Sequence, residues 1–371
     1  MGIAAVKTLL LLGGGHAHIE VLRLLGAQPV EGWKVVLVSP FVRQLYSGMV
    51  PGVVAGHYAL DECAIDLRAL SRGANATFQQ GSASLVDPSR REVVLGDAKS
   101  LRYDLLSVNV GGRTVIGDAK GVEQNAIVIR PLESAMAAWT KVLERARKGE
   151  VRSVTLVGAG AAGFELALAM HHRFEGIDPH PHVRVLGDQP ALGEVPAGAR
   201  ERLLRIAREC NVGVHAGHAA TEVGADHVQV EGGMQFASDA TFWTTGTAAP
   251  EIIRDSGFAT DARGFLLTND YLQSTSHPQV FGVGDCAVQQ GRERPRAGVF
   301  AVRAAPILAA NLRAVMSGGS LAPHATGRRY LALVSSGRKH AVGFWNGFSW
   351  EGDWAWRWKD RIDREFVAKY A

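Results

Sequence analysis

The residues best placed to do chemistry in this 371-residue sequence are glycines that follow short apolar runs. Residues 7–12 (KTLLLL) read as a buried strand; Gly13, Gly14 and Gly15 come next, and His16, Ala17 and His18 open a helical pattern with Ile19, Leu22 and Leu25 on one side. Glycines at such a turn let the backbone approach a pyrophosphate, while free amides and the positive helix end offset its charge. A second strand, residues 34–38, ends at Ser39, the distance expected of a βαβ unit. This first loop departs from the dinucleotide pattern twice. His18 replaces the third glycine of G-x-G-x-x-G, and Ser39 stands where an acid would hold a ribose. Taken alone, it also reads as a turn that binds nothing. The chain then repeats it: a strand at residues 154–157 leads into Gly158, Ala159, Gly160, Ala161, Ala162 and Gly163. Here all three glycines are present, and the next strand, residues 183–186, ends at Gly187-Asp188, with the acid one place late. Two such units about 145 residues apart imply two dinucleotide-binding domains.

Histidine and cysteine are the other reactive types. His16 and His18 present to different faces of one helix, so they read as polar groups lining phosphates or packing in place of the missing glycine, not as metal ligands. His171, His172, His180 and His182 fall in a loop between helix and strand and read as solvated; no metal site is expected. Cys63, Cys210 and Cys286 are widely spaced with no Cys-x-x-Cys pair, which excludes a disulfide framework and a four-thiolate zinc site and fits a reduced compartment.

Around these residues the composition is that of an ordinary globular protein, 47% apolar and 20% charged, long enough for two cores. Glycine, at 43 residues, is about 12% against a usual share of roughly 7%, while 14 prolines are not an excess, so collagen-like and proline-rich disordered classes fail. A net charge of +4 is too small for a polyanion-wrapping surface, and nucleic acid is not an expected partner. The N-terminus reads as neither a secretory signal nor, with Val6, a myristoylation site. No apolar run approaches the roughly 18 residues of a membrane span.

Two glycine units in this order resemble the pyridine nucleotide-disulfide oxidoreductase superfamily, in which the first site holds FAD and the second NAD(P)H. Residues 103–112 (YDLLSVNVGG) resemble the turn that closes its FAD domain, with Asn109, Val110 and Gly111 in place of the usual residues. Residues 240–250 (ATFWTTGTAAP), including Gly246, are similar to the turn that ends the NAD domain. Residues 280–287 (VFGVGDCA) resemble the second FAD fingerprint, which implies that Gly284 and Asp285 hold the ribityl chain. Residues 296–311 resemble the helix whose N-terminus, Gly298-Val299, faces the flavin. The resemblance further implies FAD contacts at Gly13, Gly14, Gly15, His16, Ala17, Ser39, Ser47, Gly48, Ala83, Val110 and Gly111, and NAD(P)H contacts at Gly158, Gly160, Ala161, Ala162, Gly163 and Gly246. Glu165 matches a glutamate that relatives place near the nicotinamide and flavin; its other reading is a carboxylate on the first helical turn, facing the dipole. Arg173 and Arg184 could hold a 2′-phosphate and Asp188 argues against one, so NADH and NADPH both stay open.

Without a redox cysteine pair, the remaining resemblance is to type II NADH dehydrogenases, with residues 46–58 (YSGMVPGVVAGHY) as the loop past the flavin. That segment with GGGHAH, DECAIDLR and WRWKDRIDREF is similar to a bacterial subgroup associated with selenophosphate synthetase. The expected architecture is α/β, with two Rossmann-like domains: FAD-binding residues 1–120 and 262–322, NAD(P)-binding residues 121–261, and a Trp-rich region at 323–371. The expected activity passes hydride from NAD(P)H through FAD to a quinone or other small acceptor. The alternatives are a selenium-metabolism reductase, with a selenium compound as acceptor and selenophosphate synthetase as partner, and a non-catalytic nucleotide-binding scaffold. Five of the eight tryptophans fall between Trp345 and Trp358, and Trp354, Trp358, Ile362, Phe366 and Tyr370 recur every fourth residue. That stripe implies either membrane contact through residues 345–370, at the inner membrane of a cytoplasmic enzyme, or packing on the flavin domain or in a homodimer. Five basic and five acidic side chains in residues 351–371 argue against a pull toward anionic lipid.

Overall fold

The computed structural model describes residues 6–325, 327 and 329–371. Strand β1 (Lys7–Leu12) runs into helix α1 (His16–Ala27), followed by β2 (Trp33–Ser39), β3 (Thr77–Gln80) and β4 (Leu105–Val108). A second sheet begins with β5 (Ala126–Val128) and continues through β6 (Ser153–Val157), α2 (Ala161–Phe174), β7 (His182–Gly187), β8 (Gly213–Ala216) and β9 (Ala240–Trp243). The chain then returns to the first sheet with β10 (Val280–Gly282) and α3 (Gly298–Ser317). The two sheets have the orders β10-β4-β1-β2-β3 and β5-β9-β6-β7-β8, and every pairing within them is parallel. Parallel strands covered on both faces need continuous apolar runs, and Leu9, Leu10, Leu11 and Leu12 are all buried. In each sheet the glycine loop leaves the central strand where the order reverses, the crevice in which such folds bind ligands.

Helix α3 corrects one expectation. By length and composition it could cross a bilayer, although no such segment is apparent from the sequence. In the fold it is a core helix: Ala304, Ala305, Leu308 and Leu312 pack with Val21, Leu22 and Leu25 of α1. Its Arg313 reaches Leu24 O at 3.0 Å and Gln28 Oε1 at 2.8 Å.

The C-terminal region adds an antiparallel sheet, β11 (Ala332–Ser335), β12 (Ala341–Trp345) and β13 (Phe348–Gly352), and helix α4 (Asp353–Ala368). It ties both domains together. Arg205, on the helix Ala197–Glu209 beside the second sheet, holds Glu351 at 2.7 Å, while Lys369 and Tyr370 bond Glu20 of α1 at 2.8 and 2.9 Å. A residue every fourth place advances about 40° around a helix, so a stripe from 354 to 366 turns by roughly 120°. The aromatic stripe therefore begins on the outside, with Trp354 49% exposed, and ends inside, with Phe366 and Tyr370 against α1. The inward face of α4 is completed by Ala355, Trp356, Lys359 and Asp363.

Candidate functional site

The first glycine loop is held open by Asn109 at the end of β4. Its Oδ1 accepts the Ala17 amide at 3.1 Å and its Nδ2 donates to Val283 O at 3.0 Å, so one side chain joins the start of α1 to the Gly284-Asp285 turn. Gly13 has φ +95°, and a Cβ there would collide with the Asn109 carbonyl and lie 2.8 Å from Val110 Cα. A Cβ on Gly15 would strike the Asn109 side chain, and one on Gly14 the side chain of Leu67. Among the described residues the amides of Gly14, Gly15 and His16 have no acceptor, and His16 Nε2 is buried without a partner. A cradle that rejects Cβ atoms and offers unpaired donors fits a bound pyrophosphate. Ser47 and the His16 ring lie 3.6 and 4.0 Å from where a Gly298 Cβ would be, so the Ser47-Gly48 loop, α1 and the start of α3 with Val299 converge there. Ser39 is buried and accepts the Phe41 amide at 3.3 Å, leaving its hydroxyl proton for a ribose; its carbonyl takes the Gly81 amide, two residues before Ala83. Gly111, at φ +75°, has open space around it.

Sequence reasoning missed Asn109 as the hub of this cradle, and it missed Arg130. The guanidinium of Arg130 lies 3.3 Å from Asp285 Oδ2 and bonds Thr247 Oγ1, bringing a cation from the second domain to the first cradle. Nothing in a separation of 155 positions signals that pair.

His18 takes the missing glycine's place as a packed, hydrogen-bonded core group. Its Nδ1 donates to Gly13 O at 2.6 Å, and its Nε2 accepts from Ser107 Oγ at 2.8 Å. Burial pushes its imidazole down to about 4. The neutral ring is satisfied in the fold, whereas the unfolded chain takes up a proton near pH 6.5. Stability from this group is therefore complete above pH 6.5 and lost as pH falls toward 4. Tm should drop over that window, and His18→Asn should flatten the slope while lowering Tm at pH 7.5.

At the second loop Gly158 has φ +124°, and a Cβ there would lie 2.6 Å from the Thr244 carbonyl; a Cβ on Gly163 would collide with Gly158 O. Helix α2 starts at Ala161, and Gly160 precedes it without a side-chain cap. An internal anion sits at that helix start: the Ala161 amide donates to Glu194 Oε1 at 2.7 Å, with Ala162 next in the same first turn. Gly246 lies farther out, in the link between domains, where its carbonyl accepts the Val115 amide at 2.9 Å.

Between the two cradles Glu165, the residue that the sequence singled out, is joined by Lys359 and Asp363, which it did not. Glu165 lies in the second turn of α2, not the first, and accepts the Ser335 amide at 2.7 Å. That position corrects the helix-dipole reading. Lys359 donates to the Gly48 carbonyl and to Asp363 Oδ2 at 2.6 Å. Burial raises the carboxyls of Glu165 and Asp363 above the usual range. Burial works against charge on Lys359, but Asp363 and Glu165 outweigh it and hold its ammonium above the ordinary value. Tyr46 stacks on Phe366 at 4.3 Å and is pushed up by burial and by Asp363. A buried cation, two proton-accepting carboxyls and a phenol thus meet the Ser47-Gly48 loop.

The other reactive groups lie elsewhere. All three cysteines are free. Burial raises Cys63 to about 12 and Cys286 to about 11, so neither is a thiolate near neutrality. Among the described residues no group of histidines, cysteines and acids is arranged to hold a metal ion. Of the two arginines that could hold a 2′-phosphate, Arg184 is engaged by Ala237 O, and the Arg173 guanidinium lies against Gly56.

A glycine cradle at the centre of each parallel sheet defines a class, and a family comparison narrows it: residues 7–305 match the pyridine nucleotide-disulphide oxidoreductase family. The chain belongs to that family. Within it, a probable NADH dehydrogenase of Dictyostelium discoideum is 22% identical over 91% of this chain and 80% of its own length. The type II NADH:quinone oxidoreductase of Haemophilus influenzae is 23% identical over 76% of this chain and 74% of its own. Among solved structures, the sulfide:quinone oxidoreductase of Aquifex aeolicus superposes with a TM-score of 0.82 at 20% identity, covering 98% of this chain and 91% of that one. The chain shares with these proteins the α/β fold of two dinucleotide-binding domains, and the family's activity is oxidoreduction.

Proposed function

We propose that the protein passes electrons from NADH, through FAD held in the first cradle, to a quinone. The observation that carries this reading is the buried Lys359–Asp363 pair with Glu165, set between two nucleotide cradles in a chain whose thiols are inert. The names of the Dictyostelium and Haemophilus relatives support it. FAD would be held by the amides of Gly14, Gly15 and His16, by Ser39, and by Asp285 with Arg130. Bound there, FAD supplies acceptance of a hydride and onward transfer of its electrons. The protein orients the partners and handles protons. A quinone that gains two electrons takes up two protons. Lys359 Nζ can donate one, and Asp363 keeps that ammonium charged and in place until it does. Glu165, its carboxyl raised toward neutrality, can hold the other.

Asp188, directly after β7, supports NADH over NADPH, as does the engagement of Arg184 by Ala237 O, while the Arg173 guanidinium packs on Gly56. Glu194 occupies the amide that a nucleotide phosphate would use, so removing it should tighten binding. We expect Glu194→Ala to lower KM for NADH about fivefold with kcat unchanged.

The acceptor's side is proposed to sit at a bilayer surface. Trp345 and Phe348 flank the Asn346-Gly347 turn between β12 and β13, 49% and 72% exposed, beside the Trp350–Trp354–Trp358 stack. Amphipathic aromatic rings favour the headgroup layer. The acids of the tail are largely taken up internally, Glu351 by Arg205 and Asp363 by Lys359, so contact would rest on aromatic burial and not on charge. Flotation with phosphatidylcholine vesicles should carry the protein upward at both low and high salt, and Trp345→Ser/Phe348→Ser should abolish it.

The whole reading is tested by anaerobic titration. A yellow protein bleached by NADH and recoloured by a quinone supports it. Recolouring by a selenium compound alone supports the selenium alternative, and a colourless protein that takes up no FAD supports the scaffold.

A further inference from the structure

A cavity of about 70 Å3 opens beside the Gly284-Asp285 turn and the first turn of α3. None of the phosphate-facing residues 13–16, nor Ser39, lines it. A single water needs roughly 10–15 Å3, so the space suits a group of about five heavy atoms and is far too small for a nucleotide. Its wall carries three guanidiniums, Arg292, Arg294 and Arg296, against one carboxylate, Asp285. Asp270 pairs with Arg292 at 3.3 Å, and Asp285 pairs with Arg130. Arg296 is fixed by the carbonyls of Asp285 and Ala287 at 3.0 and 2.7 Å and covers the Phe265 ring.

Arg294 is the exception. It is half-buried, and among the described residues its partners are neutral: Gln289 Oε1 at 2.9 Å and His324 Nδ1 at 3.4 Å. Burial and the nearby Arg292 pull its guanidinium below the usual arginine range. Burial first, then Arg294 and Arg292, press His324 down to about 4, so the imidazole there stays neutral and adds no further positive charge. A desolvated guanidinium with no carboxylate is unfavourable unless an anion accompanies it, and its planar fork matches two oxygens of an oxyanion. The Gly298 and Val299 amides have no acceptor among the described residues, and α3 has no side-chain cap and no acid in its first turn, so its start adds to the same field.

We propose that this cavity binds a compact free oxyanion of the phosphate or sulfate class, with Arg294 as its principal ligand and Arg296 as a second positive wall. The cavity shares the Gly284-Asp285 turn with the first cradle but is lined by none of its phosphate-facing residues, and anion binding there does not depend on the redox reading.

Isothermal titration of the purified protein tests it, using inorganic phosphate, sulfate and glycerol 1-phosphate in chloride buffers of constant ionic strength. Phosphate or sulfate should bind saturably at one site, and Arg294→Gln should weaken it at least about tenfold. Arg292→Gln, which removes an exposed and already paired group, should change it by less than about threefold. A Tm of Arg294→Gln equal to the wild type in anion-free buffer shows that folding is not the cause. The proposal is overturned by no saturable binding of either ion below roughly 10 mM, or by unchanged affinity in Arg294→Gln. Tighter binding of glycerol 1-phosphate than of phosphate overturns the free-ion assignment. Binding by a colourless sample supports this site while defeating the flavin reading, so the two fail separately.

Discussion

Replacing Lys359 by methionine should lower quinone-linked NADH turnover by about a hundredfold, the range that a positioned proton donor supplies. The sample should stay yellow, and its reduction by NADH should change by less than about threefold, because the side chain meets Gly48 and Asp363 and not the second cradle. One structural effect has to be separated from this. Removing the ammonium leaves the Asp363 carboxyl, 6% exposed, without its partner, and breaking such a pair costs roughly 3–5 kcal/mol. The double variant Lys359→Met/Asp363→Leu removes both charges and should recover most of the stability. If it regains Tm yet stays slow with quinone, the loss is chemical. If it regains turnover as well, Lys359 serves only to hold α4 in place. A pH profile of the wild type adds a readout that packing would not move: quinone-linked turnover should fall at high pH, as the raised Lys359 ammonium gives up its proton.

The second large effect is expected at Gly158. Its φ of +124° suits glycine alone, and an added Cβ would stand 2.6 Å from the Thr244 carbonyl, where backbone and not a flexible side chain must give way. Gly158→Ala should therefore shift the loop that carries Gly160 and the start of α2, raising KM for NADH by at least about thirtyfold. FAD content should be unchanged, since the first cradle is built from other strands. Gly13→Ala, in the first cradle, should do the reverse and strip the flavin. Rates read with rapid reduction by NADH, alongside absorbance of the bound flavin, separate these two outcomes.

Much of this was legible because it depends on local rules. A short apolar run that ends at a glycine turn and is followed by a helical pattern reads as a strand covered on both faces, and β1 and β6 lie where that pattern puts them. The long-range partners were not legible. Asn109 stands out in the sequence only as a departure from a pattern, and its role comes from joining α1 to a turn about 175 positions later. The tail misled in a definite way. Its aromatic period is plain, but a four-residue repeat drifts around the helix, so the inward face of α4 is marked by Lys359, Asp363 and Trp356, a tryptophan outside that repeat. Balanced charge in that segment hid a buried pair.

The central claim is that electrons pass from NADH to a quinone without a thiol. It is tested most directly in a variant with Cys63, Cys210 and Cys286 all replaced by alanine, mixed anaerobically with one equivalent of NADH and then one of a water-soluble quinone. The account predicts that the yellow colour bleaches and then returns, at rates close to the wild type. Bleaching that fails in the cysteine-free protein, or colour that does not return with quinone in either protein, would contradict it.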